Sequence, residues 1–273
     1  MTNPRRAITV ELCITGLKGA RAAAAGGADR IEVCAGLPLG GLTPSLGLVR
    51  QILETVDLPV IALIRPREGG FRYHIDEIVT QIADVAGLAA VVVPVHGTPR
   101  RVSGFAVGAL TAEGDLDCKT LERLRATAPD LEWCLHRAFD HVRDPEAALE
   151  AAIDLGFDRI LTSGQSPSAP EGIPRLAALV EQSAGRIELM PGGGITAENV
   201  ATLLASTGVS SVHLSASRWV PGGMTFCREG LSLGSGAAPD EARHLETDGD
   251  RVAALFRALD APHTATPGAG NEE

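Results

Sequence analysis

Short apolar runs alternate with longer Ala- and Leu-rich stretches along most of the chain. The runs have the length and composition of buried strands, and the stretches between them have helical spacing. This pattern predicts eight strands, over residues 7–13, 30–34, 60–65, 105–110, 132–137, 159–163, 187–190 and 211–215. It predicts helices between them, for example over residues 17–25, 76–89, 144–155 and 197–205. Eight strand–helix units in one chain predict a (β/α)8 TIM barrel.

A doubly wound open sheet is the alternative, but the first strand is not followed by a dinucleotide-type glycine motif. We therefore expect one barrel domain over residues 7–260. Residues 90–101 contain Pro94 and are interpreted as an insertion before the fourth strand. Residues 222–259 are expected to cover the barrel floor or to form an oligomer contact. Residues 261–273 are rich in Pro, Gly, Thr and Glu, which is typical of a disordered tail.

Composition narrows the class of protein. The 273 residues carry a net charge of −10, which argues against nucleic acid or an anionic membrane surface as the partner. An apolar run long enough to span a membrane is missing, and residues 1–6 lack the apolar segment of a signal peptide. Five cysteines are few and odd in number, which favours a reducing compartment over a disulfide scaffold. These features predict a cytoplasmic protein.

The most informative motif is a repeat, Val10-Glu11-Leu12-Cys13 and Ile31-Glu32-Val33-Cys34. Side chains alternate along a strand, so each repeat places its Glu and Cys on one face and its apolar residues on the other. If the two strands are parallel neighbours, two carboxylates and two thiols converge. An unpaired buried charge is costly, so the inward carboxylates indicate a function.

Polar residues also follow most of the other predicted strands, at the end where TIM barrels place their active sites. We expect these residues to line a ligand-binding mouth. They are Arg65, His136, Arg137, Asp140, Thr162, Ser163, Gly192, Gly193, Gly194, His213 and Ser215.

Two hypotheses concern this mouth. Gly192, Gly193, Gly194 and Ser215 follow strands seven and eight, where barrel loops often hold phosphate, so they and Arg65 and Arg137 could bind an anion. The glycines could instead serve only a tight turn.

The second hypothesis concerns catalysis. His136 could move protons, steered by Arg65 and by Glu11 or Glu32, with Asp140 nearby. Alternatively, the Arg and Glu residues form an internal salt-bridge layer across the barrel. Lys18 and Lys119 do not lie at strand ends, which disfavours a Schiff-base aldolase.

Two interpretations of the cysteine thiols remain open, metal binding and apolar packing. Cys13 and Cys34 are soft donors on adjacent strands and could hold Cu(I), although buried cysteines more often serve as small apolar residues. The chain has none of the short local patterns that mark zinc sites.

Eight further motifs in a fixed order resemble the CutC family. They are Gly-Ala-Asp-Arg-Ile-Glu-Val-Cys (27–34), Gly-Gly-Leu-Thr-Pro-Ser (40–45), Ile-Arg-Pro-Arg (64–67), Phe-Arg-Tyr (71–73), His-Arg-Ala-Phe-Asp (136–140), Arg-Ile-Leu-Thr-Ser-Gly (159–164), Met-Pro-Gly-Gly-Gly-Ile (190–195) and Val-His-Leu-Ser-Ala (212–216). The resemblance covers about residues 8–260.

The resemblance implies a cytosolic TIM barrel, a dimer or tetramer, that binds Cu(I) in copper homeostasis through Cys13 and Cys34. This chain departs from the family pattern at Gly70, where an Asp is common, and at Cys227, where an Arg is common. The residues themselves favour a metal-independent enzyme or binder of a small phosphate or carboxylate metabolite. A purely structural barrel is the third alternative and predicts an occluded mouth.

Overall fold

The computed structural model describes residues 8–226, 228 and 242–260. In chain order its elements are β1 (Thr9–Ile14), α1 (Leu17–Gly26), β2 (Arg30–Val33), α2 (Leu46–Thr55), β3 (Val60–Leu63), α3 (Ile75–Ala89), β4 (Val93–Val95), β5 (Thr98–Arg100), β6 (Gly104–Val107), α4 (Cys118–Thr127), β7 (Glu132–Leu135), α5 (Pro145–Asp154), β8 (Arg159–Thr162), α6 (Ile173–Ser183), β9 (Glu188–Pro191), α7 (Val200–Thr207), β10 (Ser211–Leu214), β11 (Ser217–Pro221), β12 (Arg243–Thr247) and α8 (Gly249–Asp260). Two 3₁₀ turns lie at Leu37–Leu39 and Arg137–His141.

Eight parallel strands form the barrel in the order β10-β1-β2-β3-β6-β7-β8-β9. A bridge between Gly192 and His213 brings the end of β9 beside β10 and closes the cylinder. The TIM-barrel prediction is therefore confirmed, and the open-sheet alternative is wrong.

The alternation read from the two repeats is confirmed by the packing. Val10, Leu12, Ile31 and Val33 are fully buried in the layer between the strands and the helices. A second, smaller apolar cluster fills the inside of the cylinder and includes Cys13, Cys34, Ile61, Leu63, Ala106, Cys134, Leu161 and Met190. The register sets Glu11 opposite His213 and Cys13 opposite Glu32.

Most barrel strands end one to three residues earlier than predicted. Arg65, Arg137, Ser163 and Ser215 were placed at strand ends, but they lie just past the final ladder residues of their strands. Their side chains therefore belong to loops, whose backbone can turn them toward the mouth. The strand before each loop fixes the position at which that loop begins.

Residues 90–101 are an insertion, as predicted, and they form an antiparallel ribbon of β4 and β5 outside the barrel sheet. Pro94 is exposed and pairs with Pro99 on this two-stranded ribbon. Within the described residues, none of the helices is both long and apolar enough to cross a membrane.

The described part of residues 222–259 does not cover the floor. Its strand β12 pairs with β11, and α8 packs between α1 and α7 to complete the ring of helices. The predicted tail, 261–273, and Cys227 lie outside the described residues.

The two tryptophans allow a test of this core. Trp133 is fully buried, packs on Phe105 and donates its indole N–H to the carbonyl of Ala128, whereas Trp219 is 40% exposed. We expect Trp133→Ala to lower the free energy of unfolding by about 3–5 kcal/mol, because the cavity left by the indole costs stability. Trp219→Ala is the matched control and should cost far less in the same urea titration. Equal losses would contradict this account of the core.

Candidate functional site

A cavity of about 710 Å³ opens at the carboxyl ends of the barrel strands. The predicted residues that line it are Cys13, Glu32, Arg65, His136, Arg137, Gly193, Gly194, His213 and Ser215. The occluded mouth that a purely structural barrel predicts is therefore not found. Glu11, Cys34, Asp140 and Gly192 lie next to this cavity's lining residues rather than in its wall.

Glu11 lies beneath the cavity and is 1% exposed. One carboxylate oxygen accepts a hydrogen bond from Arg30 Nε, and the other lies 2.7 Å from His213 Nδ1. On the other side of the ring, His213 Nε2 lies 3.9 Å from a carboxylate oxygen of Glu32. Since Glu11 occupies Nδ1, it sets the orientation of the imidazole and leaves Nε2 for the cavity side.

This arrangement shifts three pKa values. Burial alone would raise the pKa of Glu11, but the hydrogen bond and charge of His213 and the charge of Arg30 outweigh burial and lower it to about 2. Burial lowers the pKa of His213, but the charge of Glu32 and the bond to Glu11 outweigh it and raise the pKa above its ordinary value. Burial, together with the charge of Glu11, raises the pKa of Glu32.

A salt-bridge layer continues below Glu11, as one of the alternatives predicted, but it is built from Arg30 and Arg159 rather than from Arg65. Arg159 pairs with Glu132 at 2.6 Å and with Glu188 at 3.5 Å, and Arg30 lies 3.7 Å from Glu188. These residues begin or nearly begin their strands, so they form the floor of the barrel. The floor therefore holds Arg30 in place from below.

The two thiols meet beside Glu32. Cys13 Sγ lies 3.4 Å from Cys34 Sγ, and both side chains are buried. The hydrogen bond to Cys34, burial and the neighbouring Glu32 together raise the pKa of Cys13 well above that of an ordinary thiol. Cys13, Glu32 and His213 each offer one ligand atom, and these atoms lie within 4.8 Å of one another. The convergence predicted from the repeats is present, with His213 added to it.

His136 occupies a different part of the cavity wall from the acidic groups. Its Nδ1 accepts a hydrogen bond from the backbone N–H of Ala138, and its ring packs 5.2 Å from the ring of Phe71. Burial lowers the pKa of His136 to about 3, so the ring is neutral and Nε2 carries the proton. Glu11 bonds His213, not His136, so the predicted partner of the carboxylates is a different histidine.

Arg65 holds loops at the mouth. Its guanidinium donates to the carbonyl oxygens of Leu39, Gly41 and Gly69 at 2.7–3.0 Å, and Nε has no partner among the described residues. Three of its donors are thus used on the backbone. The side chain therefore fixes the shape of the mouth, while its Nε stays buried and unpaired among the described residues.

The loop after β9 has free donors. Gly193 and Gly194 have φ values of 99° and 72°, a region that favours glycine. Within the described residues, the N–H groups of Gly194 and Ile195 do not donate hydrogen bonds, while the N–H of Gly192 donates to Thr162. A Cβ atom at the position of Gly193 would lie 3.1 Å from Arg137 Nη1, so this guanidinium lies against the loop.

Asp140 positions Arg137. It accepts hydrogen bonds from Arg137 Nε at 2.7 Å, from Thr162 Oγ1 at 2.5 Å, and from the backbone and hydroxyl of Ser163. Because these donors already surround its carboxylate, Asp140 holds the arginine rather than acting on a ligand.

Loop residues after β10 form the other side of this rim. Ser215 Oγ lies 2.9 Å from Ser217 Oγ, and Ala216 between them has a φ of 46°, which is uncommon for alanine. Arg251, at the start of α8, lines the cavity and donates to the carbonyl of Ser217. Strained non-glycine backbone of this kind clusters at binding sites.

Sequence reasoning missed Arg30 and Arg251, and it expected His213 to line the mouth without pairing it with Glu11. Arg30 could have been found, because it lies two residues before Glu32 and thus shares its inward face. Arg251 leaves no local signal, since only the packing of α8 brings it to the mouth.

The Glu11–His213 pair predicts a pH dependence of stability. Glu11 has a lowered pKa, so its contribution to the free energy of unfolding is full above pH 4.5 and is lost as the pH falls toward about 2. His213 has a raised pKa, so its contribution is full below 6.5 and is lost as pH rises through the higher folded value. Glu11→Gln should therefore lower the free energy of unfolding most between pH 4.5 and 6.5, by about 3–5 kcal/mol.

Urea titrations across pH would measure this difference. Glu54→Gln, which removes one half of an exposed pair with Arg50, is the control and should change little. A loss for Glu11→Gln that does not vary with pH would contradict the assigned coupling.

Comparison with known proteins identifies a family to which the chain is similar. The model of the CutC family matches residues 8–218. A family protein CutC from Mesorhizobium japonicum is 40% identical over 261 residues, covering 96% of this chain and 98% of the relative. A human protein named copper homeostasis protein cutC homolog is 40% identical over 246 residues, covering 90% and 87%.

A solved structure supports the same relationship. The crystal structure of a putative copper homeostasis protein CutC from Streptococcus agalactiae matches with a TM-score of 0.69 at 31% identity, covering 76% of this chain and 98% of that one. From the family match and these relatives, this chain belongs to the CutC family.

Proposed function

We propose that the chain binds a small metabolite carrying a phosphate or carboxylate group in the mouth of the barrel and acts on it there. The observation that carries this proposal is the loop after β9 on the cavity wall, where Gly193 lies against the Arg137 guanidinium and the N–H groups of Gly194 and Ile195 have no acceptor among the described residues. Backbone N–H groups next to an arginine are the donors that an anionic group needs.

The dimensions of the cavity support a molecule rather than a lone ion. A volume of about 710 Å³ is in the range of small-ligand sites, which enclose roughly 300–1,000 Å³. Arg137 and Arg251 lie at the rim, and Glu32, Cys13 and His213 lie deeper. A ligand with its anionic group at the rim therefore extends toward titratable groups.

Neutral His136 suits a donor role in this chemistry. Its Nε2–H is buried without a partner among the described residues, and His136 lies on the cavity wall, so a ligand oxygen that reached this nitrogen would satisfy it. A neutral imidazole that donates a hydrogen bond can polarise a carbonyl without transferring its own proton. This replaces the hypothesis that His136 takes the proton itself.

Inorganic phosphate provides a direct test of the anion site. Since an anion that binds only the folded state stabilises it, phosphate should raise the melting temperature, with about 2.7 kcal/mol gained at 100 times its dissociation constant. Arg137→Ala should abolish this rise. Arg143→Ala, which removes an exposed arginine bonded to Asp115, is the matched control and should keep it. An equal rise in Arg137→Ala, or none in the parent protein, would overturn the proposal.

A second function is favoured by the thiol pair. The buried thiols of Cys13 and Cys34 lie 3.4 Å apart and could hold Cu(I), which prefers thiolate donors. Two bonds of the length typical of zinc thiolates, about 2.3 Å, put sulfurs about 4.6 Å apart in a linear site, so the pair must open by about 1 Å. The names of the human and streptococcal relatives agree with this candidate. Its free thiols suit a reducing compartment such as the cytoplasm.

Competition with a coloured Cu(I) chelator tests this second function. The parent protein and Cys118→Ser should remove one Cu(I) from the chelator, because Cys118 lies on α4, outside the barrel interior. Cys13→Ser and Cys34→Ser should each abolish the transfer, because one thiolate alone binds Cu(I) weakly. Unchanged transfer in both variants would reject the thiol pair as the site.

A further inference from the structure

We propose that Cys13, Glu32 and His213 form a binding site for a borderline divalent cation of the zinc type, which shares Cys13 with the two-thiol arrangement but does not use Cys34. One ligand atom from each lies within 4.8 Å of the others, and all three side chains are buried on the cavity wall. A thiolate, a carboxylate and an imidazole form a mixed donor set of the kind that zinc accepts.

The spacing is close to what such a site needs. Bonds of about 2.0–2.3 Å at tetrahedral angles separate ligand atoms by about 3.2–3.8 Å. His213 Nε2 and the nearer oxygen of Glu32 are 3.9 Å apart, so small side-chain rotations complete the geometry.

An orphaned atom gives independent support. Glu32 is only 4% exposed, yet its Oε2 has no hydrogen-bond partner among the described residues. A buried carboxylate oxygen without a donor is costly, and a bound cation would satisfy it.

The surroundings of His213 also fit a metal ligand. Histidines that bind metal usually donate their other ring N–H to a carboxylate, which fixes the tautomer and the ring orientation. Glu11 lies 2.7 Å from Nδ1 and is itself held by Arg30, so Nε2 is left for the cation. Three protein ligands leave one position open toward the cavity, as in catalytic zinc sites.

This inference deepens the proposed function and rests on it only for what fills the open position. A cation there would polarise an oxygen of the bound metabolite, while Arg137 holds the anionic group at the rim. The binding of the cation itself depends only on the three side chains.

The test uses full-length protein without a polyhistidine tag, freed of metal by a chelator and dialysis. Zn²⁺ is titrated against a fluorescent zinc indicator, and Co²⁺ is added as an optical probe. We expect one ion per chain, visible cobalt bands of four-coordinate geometry and a near-ultraviolet band from a sulfur–cobalt bond.

Matched variants assign the ligands. Cys13→Ser should abolish the sulfur band and, like Glu32→Gln and His213→Gln, weaken zinc binding at least 100-fold. Glu11→Gln should weaken it about 10- to 100-fold through the orientation of His213. Cys34→Ser is the control, since it should keep zinc binding but lose Cu(I) transfer. Circular dichroism confirms that each variant is folded.

Two outcomes would overturn the site: no stoichiometric Zn²⁺ binding in the parent protein, or binding that needs Cys34 but not His213. The phosphate experiment on metal-free protein separates this failure from failure of the proposed function. A phosphate-induced rise in melting temperature without zinc binding leaves the anion site standing, and zinc binding without that rise leaves the metal site standing.

Discussion

The contact between Glu11, Arg30 and His213 is the interaction on which the barrel mouth depends. Glu11 is 1% exposed and has two partners, Arg30 and His213, so neither oxygen is left without a donor. Removing Arg30 would leave the buried Glu11 carboxylate with His213 as its one remaining partner among the described residues, and breaking a buried ion pair from one side is strongly destabilising. Arg30 also lies 3.7 Å from Glu188 in the barrel floor. The floor therefore helps to hold Arg30 and Glu11, and through them the orientation of His213.

The cavity above this contact has two chemically different ends. Its rim carries Arg137 and Arg251 in a chain whose net charge is −10, so the positive charge there is local. Its deep end carries an acid, a thiol and an imidazole. A ligand with an anionic group and a separate reacting group would fit this division, and its charge would decide which way round it enters.

The fold and part of the site could be predicted from sequence because both depend on local periodicity. Alternation along β1 and β2 was enough to bring Glu11, Cys13, Glu32 and Cys34 together, since parallel neighbours share a register. The partner of Glu11 could not be predicted, because His213 is 202 residues away and is brought opposite only when the cylinder closes. The same limit explains why a zinc-type donor set escaped a search for short ligand motifs. Such motifs detect ligands on one element, and here three strands contribute.

The position of α8 joins the outer ring of helices to the rim of the cavity. Gly26 of α1 lies so close to Val252 that a methyl group there would meet it at 2.3 Å, which shows how tightly the first and last helices fit. The same helix supplies Arg251 to the rim of the cavity. The packing of the outer helices is therefore linked to the charge that a ligand meets on entering the barrel.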